Sequence, residues 1–360
     1  MASNSFGNHF RITTWGESHG KSIGVVIDGC PSLIELSNDD INAALTLRAP
    51  GKTPHTSPRK EPDIAEIVSG LFEGKTTGAP ISIIIQNKDS DSSKYEPIKD
   101  LLRPGHANFT YLEKYGVFDY KGGGRASARE TACRVAAGAV ASKILEKHGI
   151  QVCAYLQSIG TIETPIQNEF SGIFKEKISK SEIFCPDAKA EEKMKTLIND
   201  LKKEGDSIGG IVGFVTSPLP IGLGDPIYEK LEANLAKAML SINASKGFEV
   251  GEGFHSAKMK GSENNDEFIK TEKGIALASN HSGGVLAGIS TGQPLWGRVV
   301  FKPASSIMKS QQTVNLRGEP CEFKLPEGSR HDPCVAIRGV PVVKAMCELV
   351  LADALLALSK

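Results

Sequence analysis

Neither charge is in surplus in this 360-residue chain: Lys and Arg total 42, Asp and Glu total 42, and the formal net charge is zero. A protein with no global positive field cannot hold DNA, RNA or an anionic membrane by charge alone, so any anion site must be a local cluster of basic groups. Cysteine is sparse and unpatterned. Cys30, Cys133, Cys153, Cys185, Cys321, Cys334 and Cys347 stand singly, with no C-x-x-C pair and an odd total. That spacing argues against a disulfide framework and against a zinc site, and fits a reducing compartment. Long apolar runs are missing too: no stretch approaches the roughly 20 residues a membrane helix needs. The N-terminus from Met1 to His9 is polar, so the expected location is the cytoplasm. No repeat or low-complexity linker divides the chain, and 40% hydrophobic content suffices for a substantial core. The reading is a single α+β domain over residues 1–360.

Several elements are marked by their patterns. Phe10 to Trp15 and Ile23 to Asp28 read as strands joined by a glycine-flanked turn, and Ser37 as the cap of a short helix from about Asn38 to Leu47. Residues 48–62 hold four prolines and read as a loop, and Ile81 to Gln86, rich in β-branched residues, as a strand. The clearest helix is expected from about Ala128 to His148. Ser127 and Glu130 have capping-box spacing, Ala132, Val135, Ala136, Ala139, Val140 and Ile144 form an apolar stripe, and Gly149 ends it. The Lys/Glu-rich stretch 163–204 reads as peripheral decoration with little chemistry. Beyond it the pattern predicts a buried strand over Ile208–Ser217, a helix over Pro226–Leu240 and a final helix over Val342–Leu358.

The residues that carry chemistry sit mostly between these elements. Gly16-Glu17-Ser18-His19-Gly20 matches G-x-S-x-G, but a nucleophile elbow needs a helix directly after it, and Ile23–Ile27 reads as a strand. A tight turn exposing Ser18 and His19 is the better reading, with a plain polar hairpin as the simpler one. Gly122-Gly123-Gly124-Arg125 runs into the capped helix and places free amides, a positive helix end, Arg125 and Arg129 together, an anion site unless the glycines merely turn the chain. Arg103-Pro104-Gly105-His106 sets a histidine on a rigid turn, where it is either a proton donor or an idle surface group. Asn280–Gly284 and Gly288–Gly292 let backbone pack closely on a planar ligand or on another strand. Lys302-Pro303-Ala304-Ser305-Ser306 offers an ammonium and two hydroxyls, either a phosphate cradle or a polar turn. Arg330 and Arg338 flank Asp332, as an anion site beside a base or as a surface ion pair.

Taken together, TTWGESHG, RPGHAN, KYGVFDYKGGGRASARETACRVAAGA, SINASKGFEVGEGF, NHSGGVLAGISTGQ, KPASS and RHDPCVAIRGVP resemble the chorismate synthase family, in that family's order and across nearly the whole chain. The resemblance implies a homotetramer whose subunit is a layered β-α-β sandwich, with antiparallel sheets flanking a helical core. It implies an anti-1,4-elimination of phosphate from 5-enolpyruvylshikimate 3-phosphate, giving chorismate, with reduced FMN and no net redox change. By resemblance His19 protonates the departing phosphate with Ser18 positioning groups, His106 sits against the reduced flavin, and Asp332 assists the flavin N5 in receiving the ring proton. The flavin contacts carry over to Arg125, Ala126, Ser127, Asn243, Ala244, Ala287, Lys302, Pro303, Ala304, Ser305, Ser306 and Arg330. A substrate with a phosphate and two carboxylates demands convergent arginines, for which Arg48, Arg103, Arg129 and Arg338 are the candidates. No metal is implied.

The chain departs from the family where an arginine-rich run precedes Pro-Gly. Thr46-Leu47-Arg48-Ala49-Pro50-Gly51 keeps only Arg48, with Lys52, Arg59 and Lys60 as possible substitutes and any NADPH site expected near this loop. Ala126 stands where the family commonly has serine, a loss that backbone amides tolerate. A serine hydrolase built on Ser18 and a non-catalytic flavin- or anion-binding relative are the competing readings. No reductase-like segment is evident, which favours an external source of reduced flavin over NADPH used by the chain itself.

Overall fold

The computed structural model describes residues 3–51, 62–88, 93–272, 274–329 and 332–358. Lys52, Arg59, Lys60 and Arg330 lie outside them.

Two five-stranded antiparallel sheets enclose a layer of helices. The first runs in the order Ser5–Phe6, Arg11–Trp15, Ser22–Asp28, Ile81–Gln86, Ala65–Ser69. Its strands alternate in burial, so that Ile12, Ile23, Val25, Ile27, Ile81, Ile83 and Ile85 face inward while Arg11, Thr13 and Trp15 face out. The second runs Ser245–Val250, Pro294–Phe301, Gly210–Pro218, Val152–Ile159, Ile162–Glu163. Val152–Ile159 is buried along its whole length, because its outward residues Cys153 and Tyr155 join Val215 and Trp296 beneath Phe174 and Ile178 of the helix Gly172–Lys180.

Between the sheets, the helices Asn38–Arg48 and Thr131–Lys147 pack on the first, and Leu231–Leu240 and Ala336–Leu358 on the second. The arrangement is the expected α+β one, with antiparallel sheets on either side of a helical core. The 131–147 and 336–358 helices meet at Gly138, where a Cβ would fall 2.5 Å from that of Ala345, so only glycine permits this approach. Cys133, Ala137 and Ala141 are buried along with every residue of the apolar stripe but the half-buried Ala139, as befits a helix covered on most sides.

The strands over Arg11–Trp15, Ser22–Asp28, Ile81–Gln86 and Gly210–Pro218 agree closely with expectation, as does the helix Asn38–Arg48 with Ser37 and Asp40 as its capping box. Three helix starts differ. Ser127 accepts from Arg129 N instead of forming a box with Glu130, whose carboxylate is taken by Thr14 and Arg134, and residues 128–130 are a 3-10 turn before the α-helix begins at Thr131. The helix expected from Pro226 begins at Leu231, after a turn in which Asp225 N donates to Glu229 O. The last helix begins at Ala336 and takes in Pro341, since a proline near a helix start removes one backbone bond and burial of the surrounding turns outweighs that. The 163–204 stretch forms the helices Gly172–Lys180 and Ala188–Glu204 beside the edge strand Ile162–Glu163. No described helix is long and apolar enough to cross a membrane.

Candidate active site

One large cavity, about 1590 Å³, opens where the first sheet, the start of the 131–147 helix and the loops leaving the second sheet converge. Its lining contains eight Lys or Arg side chains, Lys94, Arg103, Lys114, Arg125, Arg134, Lys237, Lys302 and Arg338, against the three acids Glu17, Glu130 and Asp332. This is the local basic cluster that a chain of zero net charge requires for binding an anion.

The glycine run sits between the two histidines. Gly122, Gly123 and Gly124 all have left-handed φ, at 88°, 88° and 53°. A Cβ on Gly122 would fall 2.1 Å from the His19 ring, and one on Gly123 would fall 3.5 Å from the His106 ring, so the glycines admit both imidazoles to the same stretch of backbone. The amides expected to be free there are partly occupied: Ala126 N donates to Gly123 O at 2.9 Å and Ser127 N to Gly124 O at 3.3 Å, closing the 3-10 turn. That turn trades amide donors for a rigid bend, and leaves much of the anion attraction to side chains.

His19 lies on the hairpin between paired strands, with Trp15 opposite Gly24, so no helix follows Ser18 and the elbow geometry is absent. Ser18 is 1% exposed rather than displayed, because its hydroxyl turns inward to Gly122 O at 3.2 Å and His19 Nδ1 at 3.0 Å. A carbonyl can only accept, so Ser18 donates to Gly122 O, and the same Oγ stays within hydrogen-bond reach of His19 Nδ1. The edge of its ring meets Tyr95, with centroids 5.5 Å apart.

His106 is half-buried beside Phe118, and its Nδ1, itself buried, has no hydrogen-bond partner. Burial, with Arg103 and Lys302 nearby, pulls its pKa from 6.5 down to about 3, so the imidazole is neutral until an anion arrives. Its loop is tied to Lys302–Ser306: Lys302 Nζ donates to Gly105 O at 2.9 Å and Arg103 Nη2 to Ser306 Oγ at 2.6 Å. Arg125 fastens the helix start to the first sheet through Thr14 Oγ1 at 2.8 Å and Gly16 O at 3.3 Å. Asn243 Nδ2 donates to Ala126 O at 3.0 Å while its buried Oδ1 has no partner. Asp332 lies 3.6 Å from Arg338, and both line the cavity.

The chorismate synthase family model matches residues 10–356. The chain belongs to the chorismate synthase family. A chorismate synthase of Protochlamydia amoebophila (strain UWE25) is 60% identical over 360 residues, covering 99% of this chain and 98% of the relative. One of Porphyromonas gingivalis (strain ATCC BAA-308 / W83) is 52% identical over 357 residues, 98% of this chain and 96% of the relative. A crystal structure of a chorismate synthase superposes with a TM-score of 0.78 at 33% identity, covering 98% of this chain and 93% of that one. As a member of this family the chain is an enzyme, a carbon–oxygen lyase acting on phosphates.

Of the residues marked from sequence, His19, His106, Arg103, Arg125, Ala126, Ser127, Asn243, Ala244, Lys302 to Ser306, Asp332 and Arg338 all line the cavity, and Ser18 stands directly behind His19. Three do not. Ala287 lies outside it, at the turn joining Val285–Leu286 to Ile289–Ser290. Arg48 and Arg129 are buried beneath the wall and bound to the two oxygens of Asp63, because a wholly buried carboxylate captures both guanidinium groups. Burial alone would push the Asp63 carboxyl up, but Arg48 and Arg129 outweigh it and hold it below its ordinary range. Burial and nearby Arg338 pull Arg48 down to about 10, which still leaves it charged at neutral pH. Reading the sequence missed Arg134, whose Nε is 2.9 Å from Glu130 and whose Nη1 donates to Ser241 Oγ at 2.6 Å on the cavity wall. Its signal was present: an arginine one turn into the helix, just ahead of the small apolar run Val135–Ala141.

Proposed function

We propose that the chain catalyses the anti-1,4-elimination of phosphate from 5-enolpyruvylshikimate 3-phosphate to give chorismate, with reduced FMN. The observation that carries this is the pairing of His19 and His106 across one glycine run in a strongly cationic cavity. The residues present fit the cofactor: the partnerless buried atoms His106 Nδ1 and Asn243 Oδ1 supply polar contacts, and the Ala126–Ser127 turn and Lys302–Ser306 lie in the same wall. When bound, reduced flavin supplies transient electron density to the substrate.

The chain's own groups divide the remaining work. Arg103, Arg338 and Lys302 hold the anionic substituents. Protonated His19 donates from Nε2 to the leaving phosphate, its ring held by Ser18. His106, neutral in the empty site, gains basicity as negative charge enters beside it and stabilises that charge. Asp332, balanced by Arg338, is the carboxylate on the side where the ring proton leaves. Ala287 is outside this arrangement, and Arg48 and Arg129 act from behind the wall. We place the enzyme in the cytoplasm as a homotetramer of single-domain subunits, with 163–204 peripheral and neither nucleic acid nor membrane as a partner.

The test is an anaerobic assay of purified protein with 5-enolpyruvylshikimate 3-phosphate and chemically reduced FMN. Phosphate release with a substrate-dependent flavin absorbance change is expected. Flavin binding without phosphate release would show a non-catalytic relative. Turnover with oxidised FMN and NADPH alone would show that the chain reduces its own flavin; dependence on chemical reduction is the expected result.

A further inference from the structure

The segment that leaves the Ala188–Glu204 helix, Gly205 to Ile208, runs behind the Lys302–Ser306 wall without lining the cavity. Gly205 has a left-handed φ of 68°, a Cβ there would fall 2.8 Å from that of Met308, and its carbonyl accepts from Met308 N at 2.8 Å. Asp206 accepts from Lys309 Nζ at 2.7 Å and from Ser207 N at 2.8 Å. Ile208 N donates to Pro333 O at 2.9 Å, next to Asp332. Ser207 is thus fixed on both sides, and its hydroxyl donates to Ala304 O at 2.8 Å. Among the described residues that is the one hydrogen bond made by the backbone of 303–307. Peptide groups are planar and none here is cis, so the Ser305 N–H points the opposite way from the Ala304 carbonyl. Ala304 and Ser305 line the cavity and Ser207 does not. A carbonyl drawn back to Ser207 therefore leaves the Ser305 N–H turned forward.

We propose that Ser207 is a positioning residue: its hydroxyl holds the Ala304–Ser305 peptide with the N–H facing the cavity, where that N–H donates to a phosphate group of a bound ligand. The direction matters because a peptide is a dipole of about 3.5 D. With the N–H forward, the peptide adds to the attraction that Lys302 and Arg103 exert on an anion from the same wall. Rotated, it sets a carbonyl oxygen against the same charge. Ser207 thus decides the sign of one wall dipole while touching no ligand itself. The inference rests on the cavity being the phosphate-binding site of the lyase proposed above, and the phosphate is either the flavin's or the substrate's.

The test pairs a structure with two binding constants. Ligand-free crystal structures of Ser207→Ala and Ser217→Ala read the peptide directly. Ser217, near the far end of the strand Gly210–Pro218, is likewise a half-buried serine that donates to a backbone carbonyl, Gly149 O at 3.2 Å, and serves as the control. The 304–305 peptide is expected to rotate in Ser207→Ala and to keep its place in Ser217→Ala. In solution, Ser207→Ala is expected to raise the Kd for oxidised FMN, followed by flavin fluorescence, or the KM for 5-enolpyruvylshikimate 3-phosphate, by about 10-fold, as for the loss of one hydrogen bond to a charged group. A raised Kd assigns the amide to the flavin phosphate; a raised KM with Kd unchanged assigns it to the substrate's. Ser207→Thr, which keeps the hydroxyl, restores wild-type values. An unrotated peptide in Ser207→Ala would overturn the proposal, as would unchanged Kd and KM, or equal losses in Ser217→Ala. A rotated peptide with weakened FMN binding, in a protein that releases no phosphate, would support the role of Ser207 while removing the lyase reading.

Discussion

The cavity and the segment from 163 to 204 use the same basic side chains in opposite ways. Along the outer helices three lysines have acids at helical spacing: Lys180 with Glu176 at 2.6 Å and Lys203 with Asp200 at 3.1 Å, both exposed, and the half-buried Lys195 with Glu191 at 3.0 Å and Glu192 at 3.5 Å. In the cavity eight cations face three acids. Exposed pairs contribute little and ask nothing of a ligand. A concave wall with an excess of positive charge carries a standing repulsion that an incoming polyanion relieves. The difference shows why zero net charge conceals the site: matching on the surface cancels the excess in the pocket.

Glycine substitution breaks the comparison most sharply. Gly122→Ala drives a Cβ to 2.1 Å from the His19 ring at a φ of 88°, and is expected to lower turnover about as far as His19→Ala, on the order of 10²–10⁴-fold. A Gly122→Ala enzyme with wild-type kcat would show that His19 need not approach this backbone. Arg103→Met removes a half-buried cation from the cavity; losing ~1.5–3 kcal/mol of charged hydrogen bonding to substrate raises KM about 10-fold or more, measurable by steady-state kinetics.

A smaller effect appears in stability against pH. His106 resists protonation down to about pH 3 when folded but takes up a proton near 6.5 when exposed, so between those values the unfolded state binds the extra proton and stability falls as pH falls. Denaturant titrations at several pH values between 4 and 7 are expected to show His106→Leu relieved of up to about 1.4 kcal/mol per pH unit of that slope. Identical slopes would mean that the imidazole is not desolvated. The peripheral segment supplies the smallest effects. Lys203→Ala, which removes an exposed pair with Asp200, is expected to cost under ~1 kcal/mol with turnover unchanged. Gly172→Ala, where a Cβ meets nothing within 4 Å at a helix start, is expected to gain roughly 0.5 kcal/mol in thermal melts.

Much of the site was legible because its residues sit in turns whose chemistry is local. The hairpin carrying His19, the glycine run before the 131–147 helix and the Lys302–Ser306 loop were all recognisable from glycine, proline and hydroxyl placement, and all meet in one cavity. The capping box at Ser127 failed because Glu130 is taken by Arg134 one turn on and by Thr14 far back in the chain, and the second contact leaves no trace in local spacing. Arg48 and Arg129 looked like substrate ligands, since a sequence marks a guanidinium without showing whether a carboxylate such as Asp63 already holds it. The strand Val152–Ile159 escaped notice because burial on both faces erases the alternation that identifies a strand.

By itself the sequence determined the class of protein, the absence of a global field, the turns able to bring backbone close to a ring, and the residue types able to move protons. Those properties depend on composition and on neighbours a few positions apart. Tertiary structure alone decided which basic groups face the cavity and which are neutralised behind it, and that the His19 ring is held against Gly122 and Ser18. Both outcomes depend on pairings between residues far apart in the chain, where the direction of a single hydrogen bond or the burial of a single carboxylate settles the charge and orientation of its partner.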